Sequence, residues 1–336
     1  MSTGEERSVG TAVGMPARAA DAAVDPDLVS VVIPVVSVAE DLEGLVEEIG
    51  RVLDGAGRRH EFVVVDDGTQ GKVYEDLVRL KQSRPDIQMI RFHQSFGESV
   101  ALTAGFERAR GGRLLTVAPY HQVETEDLVG LLEPLDAGYD FVAGWRHPRV
   151  DPIPNRVQSA VFNSLARMFT KGKYHDLNCT VRAMRRKVAE EVSIYGDLFR
   201  FLPILAERQG FRITEIKLRH RRELGKVGFF GFGAYVRRIL DLITMFFLTK
   251  FTKKPLRFFG LVGFFFMVLG VAVNLYLTYE RLVPPYKGLA DRPLLILGVL
   301  LIVLGMQIIS IGLIGEIIIF THAKTIKEYQ VDKLLE

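Results

Sequence analysis

Two long apolar runs near the carboxyl end constrain this chain more than any other feature. Residues 258–278 are almost wholly apolar, with one polar interruption at Asn274. Residues 294–320 form a second run, interrupted by Gln307, Ser310 and Glu316. A bilayer core takes about 20 residues of helix, and each run is long enough. Two buried core helices are the alternative, but two such runs around one short polar loop are rare in soluble domains. Lys250, Lys253, Lys254 and Arg257 precede the first run; His322, Lys324 and Lys327 follow the second. Basic flanks favour the cytoplasmic side, so the pattern predicts a hairpin in the cytoplasmic (inner) membrane. The soluble part and both termini then lie in the cytoplasm, and the loop 279–293 lies outside. Glu316 falls near the cytoplasmic end of its span, within reach of the interface.

The remainder reads as soluble. Residues 1–27 are rich in Ala, Gly, Ser and acidic residues without an apolar run, the composition of a disordered tail and not of a signal peptide. The net charge of +3 is mild, and no basic stripe interleaves with aromatics, which argues against a nucleic-acid partner. Cys179 is the single cysteine, so an intrachain disulfide framework and most thiolate metal sites are excluded.

From residue 28 onward, strand and helix patterns alternate. Strands are expected at 29–35, 62–65, 87–92, 113–117 and 140–144, with helices at 41–53, 73–80, 99–110 and 126–135. That order predicts an α/β fold with a mostly parallel, doubly wound sheet. No glycine-rich dinucleotide fingerprint or P-loop follows any strand. The run Val63-Val64-Val65-Asp66-Asp67, closed by Gly68, is how a buried parallel strand delivers carboxylates to the edge where ligands bind. An ordinary Asp-Gly turn with solvated acids is the other reading of those residues.

Val31-Val32-Ile33-Pro34-Val35, then Val65-Asp66-Asp67-Gly68-Thr69, then the segment from Phe96-Gly97-Glu98 to Gly105 resemble, in that order, the family 2 glycosyltransferases. The likeness is to the dolichol-phosphate mannose synthase and bacterial polyprenyl-phosphate sugar transferase branch. It continues through His175-Asp176-Leu177-Asn178-Cys179-Thr180, Arg185-Arg186 and residues 195–201 to the two spans, covering roughly residues 28–325. The resemblance implies a GT-A-like domain, a nucleotide-sugar donor, a polyprenyl-phosphate acceptor and usually a divalent metal. The expected organisation is a tail at 1–27, the GT-A-like domain at 28–225, juxtamembrane interfacial helices at 226–254, two transmembrane helices at 255–322 and a cytoplasmic tail at 323–336. An interfacial helix at 229–251 carries Tyr235, Ile239, Leu242, Ile243, Phe246 and Phe247 at helical spacing, suited to a lipid surface. Membrane lipids are thus expected partners, and self-association is left open.

The resemblance also assigns roles. Pro34, Glu40, Asp66 and Asp67 are expected to hold the nucleotide. Arg185, Arg186, Arg221 and Arg222 are expected on phosphate, because guanidinium grips phosphate oxygens in two places. Asp176, Arg200 and Lys226 are the candidates nearest the chemistry. The chain departs from the family where the family carries Tyr-Asn-Glu after Pro34, a metal-binding Asp-x-Asp after the fourth strand, and a Ser-Lys-Tyr after residue 225. Val36-Ser37-Val38, Val117-Ala118-Pro119 and Lys226-Val227-Gly228 stand at those places. Valine and proline offer no side-chain oxygen to Mg2+ or Mn2+. His121 and Glu124 are the nearby substitutes; the other reading is that Thr125 caps the next helix and the acids complement its dipole. Two functions follow: a membrane-bound transferase in cell-envelope glycan synthesis, or an inactive pseudoglycosyltransferase serving as a binding or scaffold subunit.

Overall fold

The computed structural model describes residues 24–36, 39–150, 174–194, 196, 198–221, 240, 255–284 and 293–322. The chain divides into two compact units, Met1–Val236 and Arg237–Glu336. The expected interfacial helix at 229–251 and the tails fall almost wholly outside the described residues.

Unit one is built on a seven-stranded sheet of order β3-β2-β1-β4-β6-β5-β7. Its strands are β1 (Asp25–Val35), β2 (His60–Asp66), β3 (Gln88–Arg91), β4 (Gly111–Thr116), β5 (Phe141–Arg146), β6 (Arg182–Arg185) and β7 (Ile213–Leu218). Adjacent strands pair in parallel except at β6, which runs antiparallel to both β4 and β5. The Val-rich runs of β1 and β2 are buried on both faces, as a parallel strand covered by helices must be. Helices α1 (Leu42–Gly55) and α2 (Lys72–Ser83) contribute Leu45, Ile49 and Leu77 to the core on one face. Helix α3 (Glu98–Arg108) brings Ala101, Leu102 and Phe106 to the other, joined by Val188 and Leu202 of the short helices α5 (Arg186–Glu191) and α6 (Leu202–Arg208). Gly144 lets β5 approach its neighbours: a Cβ there would stand 2.6 Å from the Val181 carbonyl oxygen.

The sequence reading contained neither β6 nor β7, and three further features differ from it. β1 begins at Asp25, inside the expected tail, because the Asp25 N–H donates to the Arg110 carbonyl at 3.0 Å and Asp25 pairs with Gly111. The expected helix at 126–135 is a 3-10 turn, Thr125–Leu131, followed by the short α4 (Leu132–Asp136). Pro134 lacks the N–H that an α-helix would offer to the Gly130 carbonyl, so one regular helix cannot run through it. The Thr125 hydroxyl is not a helix cap either; it donates to Glu48 at 2.7 Å.

Unit two contains α7 (Pro255–Leu282) and α8 (Pro293–His322), each long and apolar enough to cross a bilayer. They pack through glycines spaced seven apart, Gly263 and Gly270 against Gly305 and Gly298. A Cβ on Gly263 would sit 2.5 Å from the Gly305 carbonyl, and one on Gly270 would sit 2.6 Å from that of Gly298. Between apolar helices in lipid, close backbone approach supplies the dispersion that holds them together. Glu316 accepts a hydrogen bond from the Leu256 N–H at 3.3 Å, satisfying one open donor in the first turn of α7. Large aliphatic side chains such as Leu261 and Ile296 stay exposed on the outside of the pair.

Gly305→Ile is expected to force the hairpin apart and lower the melting temperature of detergent-solubilised protein. The loss should correspond to about 1–3 kcal/mol of overpacking. Leu304→Ile, beside it but on a more exposed position, serves as the control and should leave melting nearly unchanged.

Candidate functional site

The carboxyl ends of β1, β2, β4, β5 and β7 meet along one edge of the sheet, joined there by the amino end of antiparallel β6. Open α/β sheets bind ligands at this edge. Asp66 ends β2, and Asp67 follows it. Both are buried, and both are engaged. Asp66 Oδ1 accepts from the Thr69 N–H at 2.8 Å and the Thr69 hydroxyl at 2.7 Å, while Arg91 Nε lies 3.4 Å from Oδ2. Asp67 accepts from the Ser95 hydroxyl at 2.6 Å and from the N–H groups of Phe96 and Gly97 at 2.7 and 3.0 Å. The first carboxylate fixes the turn after β2; the second ties the loop before α3 to that turn. Gly68, at φ 73°, permits the junction, since a Cβ there would stand 2.9 Å from the Gln94 carbonyl carbon.

Asp176 is buried against Arg146, the last residue of β5, with Nε to Oδ2 at 2.7 Å and Nη2 to Oδ1 at 3.1 Å. Burial alone would raise the Asp176 pKa, but the Arg146 guanidinium outweighs it and holds the carboxyl below its ordinary value. His175 turns the other way: its backbone N–H and ring both meet Glu215, and its ring stacks on Trp145 at 4.1 Å.

Arg182, at the start of β6, is buried with carbonyl partners only. It donates to the carbonyls of Leu177, Cys179, Phe199 and Arg200. Burial lowers its pKa to about 10, so it stays charged at neutral pH. Together with Pro34, Glu98, Thr116, Val117 and Thr180 it lines a crevice between the ends of β1 and β4. Burial pushes the neighbouring Cys179 thiol up to about 11, which keeps it protonated and unreactive.

The other expected site residues divide. The Glu40 N–H donates to the Pro119 carbonyl at 3.1 Å, so the segment after β1 touches the segment after β4. Arg221 lies at the same edge: its N–H donates to the Gln122 carbonyl at 3.1 Å and its guanidinium meets Glu48 at 3.4 Å. The Arg200 guanidinium lies 4.6 Å from the Phe199 ring. Arg222 and Lys226 fall outside the described residues. Arg185 and Arg186 lie away from the edge where Arg182 sits. Arg185 pairs with Arg113 at the amino end of β4, whereas Arg182 pairs with Thr116 at its carboxyl end. Three residues of strand put roughly 10 Å between them. There Arg185 donates to the carbonyls of Leu135 and Tyr139, and Arg186 donates to that of Ala109 and to Glu190. Register thus sets them apart from Arg182.

Among the described residues the end of β4 offers a divalent metal no side-chain oxygen. The end of β4 offers Val117, Ala118 and Pro119, the first two buried. His121 is held by Glu48 at 2.8 Å, and the Glu124 backbone is taken up by Arg219 and Asp127. Among the described residues no three His, Cys, Asp or Glu side chains are grouped to hold a cation. Sequence reasoning passed over Arg146 and Glu48. Arg146 had a signal, for it closes an apolar strand as Asp66 does; Glu48, one of several acids on a helix face, had none.

The description Glycosyl transferase family 2 matches residues 30–193. The chain is 30% identical over 293 residues to the undecaprenyl-phosphate 4-deoxy-4-formamido-L-arabinose transferase of Edwardsiella ictaluri, covering 86% of this chain and 88% of that one. It is 28% identical to the transferase of the same name from Shewanella sediminis, covering 92% and 93%. Dodecaprenyl-phosphate galacturonate synthase of Rhizobium johnstonii is 26% identical, covering 87% and 88%. Among solved structures, glucosyl-3-phosphoglycerate synthase from Mycobacterium tuberculosis, crystallised with Mn2+, UDP and glucosyl-3-phosphoglycerate, superposes with a TM-score of 0.52 at 17% identity. It covers 66% of this chain and 80% of that one, a likeness of GT-A fold alone.

Arg146→Met should lower the melting temperature strongly, by about 3–5 kcal/mol of stability, because it strands the buried Asp176 charge. Arg146→Met with Asp176→Leu should recover most of the loss. The Asp176 pKa is depressed on folding, so its contribution is present above the ordinary value of 3.8 and disappears as pH falls through the lower folded value. Thermal scans of the three proteins at pH 7 and pH 3 check both points.

Proposed function

The chain belongs to glycosyl transferase family 2, within its polyprenyl-phosphate sugar transferases, and on that premise we propose that it moves a sugar from a nucleotide-sugar to a polyprenyl phosphate in cell-envelope glycan synthesis. The observation that carries the reading is one chain combining a GT-A sheet edge with two bilayer-length helices, matched along nearly its whole length by relatives named for that reaction. The pseudoglycosyltransferase alternative gains nothing from those relatives.

In the transfer, a phosphate oxygen of the acceptor bonds to the anomeric carbon of the sugar. The bond from that carbon to the donor diphosphate breaks, and its electron pair leaves with the nucleoside diphosphate. The acceptor oxygen is already anionic, so no strong base is required. The charge on the departing diphosphate is what the protein must meet. Pro34, Glu40, Asp66 and Asp67 form the wall assigned to the nucleotide. The two aspartates act by holding the turn at 68–69 and the loop at 95–97, whose backbone faces the ligand. Asp176 is a positioning residue that fixes Arg146 at the end of β5. Arg200, Arg221, Arg222 and Lys226 are assigned to phosphate.

Both termini and the transferase unit are placed in the cytoplasm, with the loop between α7 and α8 outside, on the strength of the basic flanks. Cysteine at position 285 should react with an impermeant maleimide on intact cells, while cysteine at 330 should not. The reverse pattern overturns the orientation. Buried Cys179 needs no replacement in this test.

Purified protein screened against nucleotide-sugars and a polyprenyl phosphate should form a sugar-phospholipid; failure with every donor, on folded protein, refutes the reading. Asp66→Ala with Asp67→Ala should release the turn at 68–69 and the loop at 95–97, each held by charge-assisted bonds of roughly 1.5–3 kcal/mol, and so weaken nucleotide binding by about tenfold or more. Unchanged affinity in calorimetry removes these acids from the nucleotide wall.

A further inference from the structure

We propose that this transferase holds its donor diphosphate without a metal ion, using fixed and half-exposed arginines at the edge of the sheet instead. The inference rests on the transferase reading and concerns how the same site meets the diphosphate charge.

The donor set is wrong for a hard cation. Mg2+ and Mn2+ take oxygen ligands, and beside a diphosphate Mg2+ is usually held by one or two protein carboxylates together with phosphate oxygens. At the end of β4 the side chains are Val117, Ala118 and Pro119. Val117 is not merely neutral; it is packed into the main apolar cluster with Val123 and Leu128. Several carboxylates near this edge have protein partners already. Asp66 is held by Thr69 and Arg91, Asp67 by the loop before α3, Asp176 by Arg146, and Glu48 by His121 and Thr125. Recruiting any of them to a cation would break a buried or half-buried bond first.

Positive charge, by contrast, is present in two forms. Arg182 is a fixed cation: its partners are carbonyl dipoles with no carboxylate among them, and it lines the crevice at the ends of β1 and β4. Four of the five guanidinium N–H groups have carbonyl partners, which orient the charge, while Glu98 and Asp176 lie near enough to act on it electrostatically. Arg221 is the adjustable cation. Its backbone is tied to Gln122, in the segment that follows the lost metal position, and its side chain is 42% exposed. The single ion pair it makes, to Glu48, is long at 3.4 Å, while Glu48 keeps shorter bonds to His121 and Thr125. A diphosphate can therefore take Arg221 from Glu48 without leaving that carboxylate unpaired. Planar guanidinium then offers two parallel N–H bonds to phosphate oxygens, as a metal-free clamp needs.

The test is calorimetry of full-length protein in detergent with UDP, GDP, CDP and ADP, each in EDTA, in Mg2+ and in Mn2+, together with Mn2+ spin resonance. The expected result is a Kd for the tightest nucleotide that differs less than twofold between EDTA and metal. It should weaken severalfold between 50 and 300 mM salt, roughly as exposed charge contacts do. No stoichiometric Mn2+ signal should be lost to the protein. Arg221→Gln should weaken binding about tenfold in EDTA, and Arg221→Lys should recover part of it. Binding that is lost in EDTA and restored by Mn2+ overturns this proposal and leaves the transferase reading intact. Arg221→Gln without effect overturns the assigned clamp. No binding of any nucleotide under any condition overturns both.

Discussion

A buried ion must be given partners, and the carboxyl edge of this sheet is organised by that requirement. Asp66, Asp67, Asp176 and Arg182 are each nearly inaccessible, and each recruits a different stretch of chain. Asp67 draws in the loop at 95–97, and Asp176 draws Arg146 across from β5. Arg182 gathers four carbonyls from 177–179 and 199–200. An unpaired charge in such places would cost several kcal/mol, so the loops have little freedom to wander. The ions thus do for loop segments what hydrogen-bonded ladders do for strands: they turn irregular backbone into a defined rim around a crevice.

This explains what was legible in the sequence and what was not. The strands β1 and β2 announced themselves as β-branched runs, and the amphipathic helix α1 showed its apolar spacing. Parallel β7 was not read, its Ile-Thr-Glu-Ile-Lys-Leu carrying charges between the apolar residues, and neither was β6, because Arg-Ala-Met-Arg is four residues long and polar at both ends. Its absence from the reading carried a second error with it. Without β6 there is no register, and without register Arg182, Arg185 and Arg186 look like one basic cluster. In the sheet they separate, Arg182 to the site edge and the other two to the opposite edge. Asp66 and Asp67 were found because a charge ending an apolar run is conspicuous; their occupation by Thr69 and the 95–97 loop was hidden, since those contacts join residues far apart in sequence or follow from one turn's geometry.

The two units are stabilised by different physics. In the first, apolar side chains leave water, and packing gains come with that transfer. Between α7 and α8, the two candidate spans, the sequence places glycine at seven-residue spacing in place of large side chains, the kind of close backbone contact that holds apolar helices together where no such transfer is on offer. The same helices therefore look featureless by hydrophobic patterning, being apolar on every side, yet have one face specified by what is missing from it. Polar groups inside the spans follow the same economy of partners as the sheet edge: Asn274 bonds to the Gly270 carbonyl, and Glu316 meets the first turn of α7.

The apolar end of β4 is best understood through the cost of the alternative. A pair of carboxylates converging at a strand end repel each other and stay partly desolvated until a cation arrives, so such a site trades stability of the empty protein for affinity toward metal. Here Val117 contributes to the core instead, with Val123 and Leu128 around it. Placing aspartate at that position would insert a charge among aliphatic groups, with no second carboxylate in the described surroundings to share a cation. Valine at this position belongs to the apolar cluster and also lines the crevice at the ends of β1 and β4. The cations described at this edge are sustained differently: Arg182 through carbonyl dipoles, and Arg221 through a carboxylate it shares with His121 and Thr125.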